Sequence, residues 1–160
     1  MPAPTDFDHL IGSHAVVHRR LRSRLDGCTE WDEFPGACTN VSVLGGFGVI
    51  EDNLIELPAG SYRALGIRSY DPGAAHWAIW WLDGRAPHAL DVPVVGAFDA
   101  DGVGTFVAHD ELDGRPIAVR FTWSGITATH AHWEQAFSAD DGTTWETNWT
   151  MDFTKLAAET

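Results

Sequence analysis

The residues with the clearest potential for chemistry are His14, His18 and Arg20, which form one polar row near the start of the chain. If this segment is a strand, alternate side chains share a face, so the three side chains point the same way, together with Val16. An imidazole with an ordinary pKa of about 6.5 can exchange a proton near neutral pH. A guanidinium can bind a carboxylate or stabilise a developing enolate. The row therefore predicts either acid–base catalysis or recognition of an acidic group.

The same row has two further explanations that the sequence leaves open. Arg20 can pair with a carboxylate at the rim or in the interior, such as Glu33, and both histidines are then hydrogen-bonded structural residues. Alternatively, His14 and His18 bind a metal ion from one face of a helix. The β-branched valines between the two histidines favour a strand instead.

A second histidine group, His130 and His132 with Glu134, resembles a metal site in composition only. On a strand its ends lie about 13 Å apart, at roughly 3.3 Å per residue, which is too far for one ion, and alternation puts this group on the outer face. The two cysteines, Cys28 and Cys38, lack metal-site spacing and are predicted to be free thiols. We therefore predict no metal site.

Aromatic residues dominate the side chains that alternation places inward, and the chain has 8 Trp. The predicted ligand-binding set is Leu65, Ile67, Trp81, Phe121, Trp123, Trp133, Gln135, Trp149 and Met151. Large rings can fill a core completely, but a barrel wider than the eight-stranded kind has room for a small ligand. An apolar cavity with a few polar groups is typical of ligand sites, so we expect these residues to line one.

Strands must position these side chains, because runs rich in Val, Ile, Thr, Phe and Trp alternate with turn pairs such as Asp83-Gly84 and Asp113-Gly114. The predicted strands are 12–24, 29–44, 46–57, 61–70, 76–83, 93–99, 103–112, 115–124, 129–139 and 145–155. Closure into an antiparallel up-and-down barrel removes both sheet edges, and no long amphipathic helix is available to cover a face. A short helical turn at 5–10, capped by Thr5 or Asp6, is expected to plug one end. Residues 1–160 are predicted to form a single all-β domain.

The charge balance argues against some partners. With 10 Lys+Arg against 23 Asp+Glu, the net charge of -13 repels phosphate backbones and anionic lipid surfaces. The chain opens without a signal-peptide pattern and has no apolar run of the about 18 residues that a membrane span needs. We expect a cytoplasmic protein without nucleic-acid or membrane partners. The strand at 76–83 is apolar on both faces, which would suit the contact of a homodimer.

Several segments carry a family resemblance: the opening 7–14, in which His14 replaces the tryptophan of a Gly-x-Trp start, and 31–34, 81–85, 133–138 and 144–149. Together they resemble the calycin superfamily, in particular its small bacterial lipocalin-like proteins of unknown function. The resemblance implies an up-and-down barrel that can hold a small ligand. It supplies no catalytic residue, so function must be argued from the site.

The sequence therefore predicts a barrel that binds a small, largely apolar molecule, aromatic or acidic, in a Trp-lined cavity and without a cofactor. The alternative is a cofactor-free enzyme in which His14, His18 and Arg20 catalyse isomerisation, cyclisation, hydration or elimination in the same cavity. A third hypothesis is haem held by a barrel histidine, as in nitrobindin-like relatives, although their Gly-x-Trp-x-Gly-x-Gly run is absent.

Overall fold

Ten antiparallel strands form a closed barrel in the computed structural model, which describes residues 1–158. Each strand pairs with its neighbours in sequence, and β1 pairs with β10 to close the sheet. The strands are β1 (Gly12–Leu21), β2 (Trp31–Val43), β3 (Gly48–Leu57), β4 (Gly60–Asp71), β5 (His76–Asp83), β6 (Val94–Phe98), β7 (Gly104–Leu112), β8 (Arg115–Ser124), β9 (His130–Ser138) and β10 (Glu146–Lys155). The predicted all-β up-and-down barrel is confirmed, and every strand matches its predicted range to within a few residues.

The turn between β7 and β8 shows how local sequence sets the register. Leu112 pairs with Arg115 across a turn made of Asp113 and Gly114. Both turn residues have a positive φ, 52° and 77°, as a type I′ turn requires. The twist of this turn matches that of the strands, so the Asp-Gly pair fixes which residues of the hairpin face inward.

The N-terminal segment closes one end of the barrel. A 3-10 turn at Asp8–Leu10 follows Phe7, which is 1% exposed and packs edge-on against Trp77 with ring centroids 5.0 Å apart. The predicted turn is confirmed, but its predicted cap is wrong, because neither Thr5 nor Asp6 caps it through a side chain. The Asp6 carboxylate instead accepts a hydrogen bond from Nε1 of Trp77 at 3.0 Å.

The face assignment of β4 is the main error of the sequence analysis. Leu65 and Ile67 lie on the outer face, whereas Arg68, only 2% exposed, points inward and forms an ion pair with Glu51 of β3. Between the inward side chains of Tyr62 and Arg68, β4 contributes only the small residues Ala64 and Gly66 to the interior. Glu51 lies opposite Gly66 in the register, and the missing side chain leaves space for the buried pair.

An irregularity in β10 reverses part of its predicted alternation. The register with β9 shifts between Thr147 and Trp149, so Asn148 is an extra residue in a β-bulge. Asn148 is fully buried and accepts a hydrogen bond from Nε2 of Gln135 at 2.8 Å. Strict alternation from Trp149 would place Trp145 inward, but Trp145 lies instead against the guanidinium of the outward-facing Arg120.

Two other features bear on the predictions. Both cysteines, Cys28 and Cys38, are free thiols, as expected. Within residues 1–158, no helix has the length and apolar character needed to cross a membrane.

Candidate functional site

The barrel end opposite the N-terminal turn holds a pocket of about 460 Å³, here called the mouth pocket. Strands β1, β4, β5, β7, β9 and β10 and the β1–β2 and β5–β6 loops contribute to its wall. Its lining includes three aromatic residues, two arginines and a glutamine: Tyr62, Trp81, Trp149, Arg20, Arg24 and Gln135. Apolar rings and guanidinium groups therefore share one partly enclosed space.

Arg20 is held in the mouth pocket by two aromatic residues. Its Nη2 donates a hydrogen bond to the hydroxyl of Tyr62 at 2.7 Å, and its guanidinium carbon lies 4.0 Å from the centroid of the Trp149 ring. The alternative pairing with Glu33 does not occur, because the Glu33 carboxylate lies 3.9 Å from Arg19 on the outer face. Arg20 keeps unused N–H donors, including a buried Nε without a partner.

Two further arginines surround Arg20. Burial and the neighbouring Arg20 charge lower the pKa of Arg24, which remains protonated because a guanidinium does not lose its proton in proteins. Arg85 lies with its guanidinium carbon 3.6 Å from the Tyr62 ring centroid and hydrogen-bonds Asp83, which lowers the pKa of that carboxyl. Among residues 1–158, no carboxylate oxygen lies within 4.0 Å of Arg20 or Arg24.

A side arm of about 70 Å³ adjoins the mouth pocket. Trp81, Gln135 and Phe137 line both spaces, and Asp91 and Asp110 line the side arm. Partial burial and the nearby carboxylates of Asp110 and Asp83 raise the pKa of Asp91. Asp91 also lines the mouth pocket, together with Asp83 and the three arginines, so charges of both signs meet there.

The centre of the barrel is filled, which corrects the prediction of a large Trp-lined cavity there. Trp133 packs edge-on against both Trp149 and Phe121, at centroid distances of 5.1 Å and 5.0 Å. The remaining inner void is only about 20 Å³. That volume holds about one water molecule, so the space inside the barrel that is large enough for a ligand lies nearer the rim, in the mouth pocket.

His14 and His18 face inward, as the alternation predicts, and both are 1% exposed. His18 stacks on Phe34 with centroids 5.0 Å apart, and its Nδ1 accepts a hydrogen bond from Nε1 of Trp149 at 3.0 Å. Burial, followed by the charge of Arg20, lowers the pKa of His18 to about 3, and burial followed by Lys155 lowers the pKa of His14. Both imidazoles are therefore neutral near neutral pH.

No histidine among residues 1–158 lines the mouth pocket or its side arm. Acid–base catalysis by His14 or His18 therefore stays a prediction, and neither imidazole shares a ligand-sized space with Arg20. The enclosed histidines also do not fit an axial ligand of haem, because neither has open space beside it for the macrocycle.

The histidines of β9 lie on the outer face, as predicted. His132 Nδ1 lies 2.7 Å from an oxygen of Asp152. Partial burial opposes protonation of His132, but the hydrogen bonds to Asp152 and Glu134 outweigh it and raise the pKa. The described part of the chain contains no group of three or more His, Cys, Asp or Glu side chains that could hold a metal ion.

The structure divides the predicted ligand-binding set into three groups. Trp81, Gln135 and Trp149 line the mouth pocket with Arg20. Phe121, Trp123, Trp133 and Met151 surround the inner void, which Trp81 also lines, and Phe121 reaches the side arm too. Leu65 and Ile67 are outside the barrel.

Sequence analysis missed Asp83, at the end of β5, and five further polar residues of the site: Arg24, Tyr62, Arg85, Asp91 and Asp110. Alternation along β7 contains the signal for Asp110, which shares its face with the buried Phe106. The alternation of β4 contains the signal for Tyr62, once Arg68 is recognised as an inward residue. Arg24, Arg85 and Asp91 lie in loops, where periodicity carries no information.

No family model matches the chain, and no curated protein matches it. Among solved structures, the barrel is similar to the S-type phycobiliprotein lyase CPES from Guillardia theta, with a TM-score of 0.62. The match covers 96% of this chain and 92% of the lyase, at 11% sequence identity. The two chains share a lipocalin-like barrel fold. At this identity the similarity shows the fold alone.

Proposed function

We propose that the protein binds a small molecule with a flat, largely apolar or aromatic body and an acidic group in the mouth pocket. The observation that carries the proposal is the position of Arg20, a guanidinium on the face of Trp149 with no carboxylate partner in residues 1–158. The buried Nε of Arg20 also lacks a hydrogen-bond partner among the described residues. An acidic ligand supplies the missing partner.

The geometry around Arg20 suits an acidic group. The hydrogen bond to Tyr62 and the contact with Trp149 hold the guanidinium in place before a ligand arrives, so little side-chain entropy is lost on binding. Its remaining N–H donors can bind a carboxylate through charge-assisted hydrogen bonds. Arg24 adds a second positive charge to the same wall.

The aromatic wall suits the body of the ligand. Trp81 and Trp149 stand edge-on to each other at 5.5 Å and both line the pocket, so a flat molecule can pack against a ring face. Each Å² of apolar surface removed from water contributes about 25 cal/mol. Ligand binding also agrees with the resemblance to calycin-type barrels, many of which enclose small molecules.

Direct binding measurements test the proposal. The main probes are a biphenyl carboxylate with a methyl group at the far para position, here called the biphenyl acid, and its neutral primary carboxamide. A fatty acid and biliverdin, a linear tetrapyrrole with two carboxylates, extend the panel; biliverdin is included because the structurally similar protein is named a phycobiliprotein lyase. Isothermal titration calorimetry should show the acid binding at least about tenfold more tightly than the carboxamide, since a charge-assisted hydrogen bond is worth about 1.5–3 kcal/mol. Equal affinity of acid and carboxamide, or no binding by any acidic probe, would overturn the proposal.

A further inference from the structure

We propose that the natural ligand is zwitterionic, with its acidic group at Arg20 and a protonated nitrogen at Asp91 and Asp110. This inference rests on the proposed function, because it assumes that the mouth pocket is the binding site. It adds to the proposed function a second charged group on the ligand and the two carboxylates that bind this group.

The mouth pocket and the side arm are adjacent spaces that share four lining residues, one of which is Asp91. Trp81, Gln135 and Phe137 line both spaces, so a flat body lying against Trp81 would extend from one into the other. Arg20 and Arg24 line the mouth pocket and are absent from the side arm, whereas Asp110 lines the side arm alone. A ligand that extends through both spaces therefore meets Arg20 and Arg24 only in the mouth pocket and Asp110 only in the side arm, while Asp91 lines both.

The carboxylates of the side arm have no cationic partner within the described residues. No basic side chain of residues 1–158 lies within 4.0 Å of Asp91 or Asp110. Asp110 accepts one hydrogen bond, from the backbone N–H of Glu111 at 2.8 Å. The third carboxylate of the site, Asp83, differs, because Arg85 hydrogen-bonds both of its oxygens. A protonated nitrogen of the ligand would donate hydrogen bonds to Asp91 and Asp110, as the guanidinium of Arg85 does to Asp83.

Gln135 gives an independent indication of a donor on the ligand. Its Nε2 donates to Oδ1 of the buried Asn148 at 2.8 Å, which fixes the orientation of the amide. The carbonyl oxygen of Gln135 is thereby left as an acceptor, and Gln135 lines both parts of the site. The side arm thus presents acceptors from Gln135, Asp91 and Asp110, which can bind N–H or O–H donors on the ligand.

The raised pKa of Asp91 agrees with this arrangement. Partial burial and repulsion by Asp110 and Asp83 disfavour its charged form. A cation bound between the carboxylates would relieve that repulsion, so binding of the ammonium group and ionisation of Asp91 should favour each other.

A matched pair of probes tests the inference on the intact protein. The biphenyl acid is compared with the biphenyl amino acid, in which an aminomethyl group replaces the distal methyl. The same comparison on a single ring, para-toluate against para-(aminomethyl)benzoate, covers a shorter spacing between the charges. In at least one pair the amino acid should bind at least about tenfold more tightly than the plain acid, as expected for a charge-assisted contact.

Variants assign the effect to the side arm. Asp110→Asn should reduce the advantage of the amino acid over the plain acid to less than about threefold. Asp91 lies in a loop, so the Asp91→Asn variant provides the same test if the Asp110→Asn variant folds poorly. Glu111→Gln, on the exposed side of β7, is the matched control and should leave the advantage intact.

Three outcomes separate the inference from the proposed function. If the plain acids bind and the ammonium group adds nothing in either pair, the zwitterion is excluded and the acidic ligand stands. If the advantage persists in both Asp variants, the cation site lies elsewhere and the inference is wrong. If none of the acids binds, the proposed function fails together with the inference.

Discussion

The guanidinium of Arg20 rests on the face of Trp149, 4.0 Å from the ring centroid, while the N–H of the same ring donates to the buried His18. One indole thus links the ligand-facing cation to the packed interior. His18 needs its neutral form to accept this hydrogen bond at Nδ1, which connects the site to the protonation state of the core.

Loss of the Trp149 donor should destabilise the barrel. Trp149→Phe keeps a ring but leaves Nδ1 of the buried His18 without its donor, so the free energy of unfolding should fall by about 1–3 kcal/mol. Trp145→Phe is the matched control, because it also removes an indole N–H, but one that donates to the carbonyl of Gly142 at the surface. Urea unfolding of both variants measures the difference, and an equal loss in the two would contradict the importance of the buried bond.

Stability should decline in mild acid because of His18. Its pKa is lowered to about 3 in the folded barrel, so between the ordinary histidine value and this one the unfolded chain binds the proton more strongly. The contribution of neutral His18 to the free energy of unfolding is fully present above a pH of about 6.5. It falls by about 1.4 kcal/mol per pH unit as the pH drops toward the pKa of His18 in the folded state.

Urea titrations at pH values from neutral to mildly acidic measure this slope. His18→Asn, whose side-chain oxygen can replace Nδ1 as an acceptor, should have a shallower slope than the wild type. His88→Asn removes an exposed histidine and should leave the slope unchanged. A wild-type slope equal to that of His18→Asn would show that His18 is not held neutral by burial.

The buried ion pair of Arg68 and Glu51 should be more important for folding than its exposed neighbour. Glu51→Gln leaves the guanidinium buried without its counter-charge and should cost about 3–5 kcal/mol. Asp52→Asn removes the adjacent carboxylate, which pairs with Arg63 at the surface, and should cost less than about 1 kcal/mol. Thermal or urea unfolding compares the two, and similar losses would show that the buried charge has another partner.

The homodimer expected from the sequence stays a prediction. It can be tested by a substitution on the outer wall formed by β3, β4 and β5. Ile50, Ile67 and Trp80 are neighbours on adjacent strands of this wall. If this row is covered by a second copy, Trp80→Lys should convert a dimer to a monomer in light scattering after size exclusion. A monomeric wild type at concentrations well above those used for binding would contradict the prediction.

The sequence predicts the barrel well because alternation and turn chemistry are local signals. The inward faces of β1, β5 and β8 follow directly from their own residues, and Arg20 is placed correctly by the same rule. Alternation fails where contacts with other strands determine which side chains of a strand are buried. Arg68 is buried because Glu51 and the space beside Gly66 accommodate it, and neither is visible in the sequence of β4 alone.

The candidate site is predicted only in part for the same reason. Alternation predicts the inward position of Trp149 correctly, but the bulge at Asn148 reverses the faces of the β10 residues before it. Arg24, Arg85 and Asp91 reach the site from loops, whose course depends on the whole barrel. The filled centre follows from how the tryptophan rings interlock, and strand count alone could not reveal it.

The most direct test of the central claim compares two adjacent arginines of β1. Arg20 faces the mouth pocket and Arg19 faces outward, so Arg20→Met and Arg19→Met remove the same charge on opposite sides of one strand. Calorimetry with the biphenyl acid should show that Arg20→Met weakens binding by about 10- to 150-fold, the equivalent of about 1.5–3 kcal/mol, with the carboxamide unaffected. Arg19→Met should bind like the wild type. If both variants bind the acid as the wild type does, or if Arg20→Met weakens acid and carboxamide equally, Arg20 does not recognise an acidic ligand and the account is wrong.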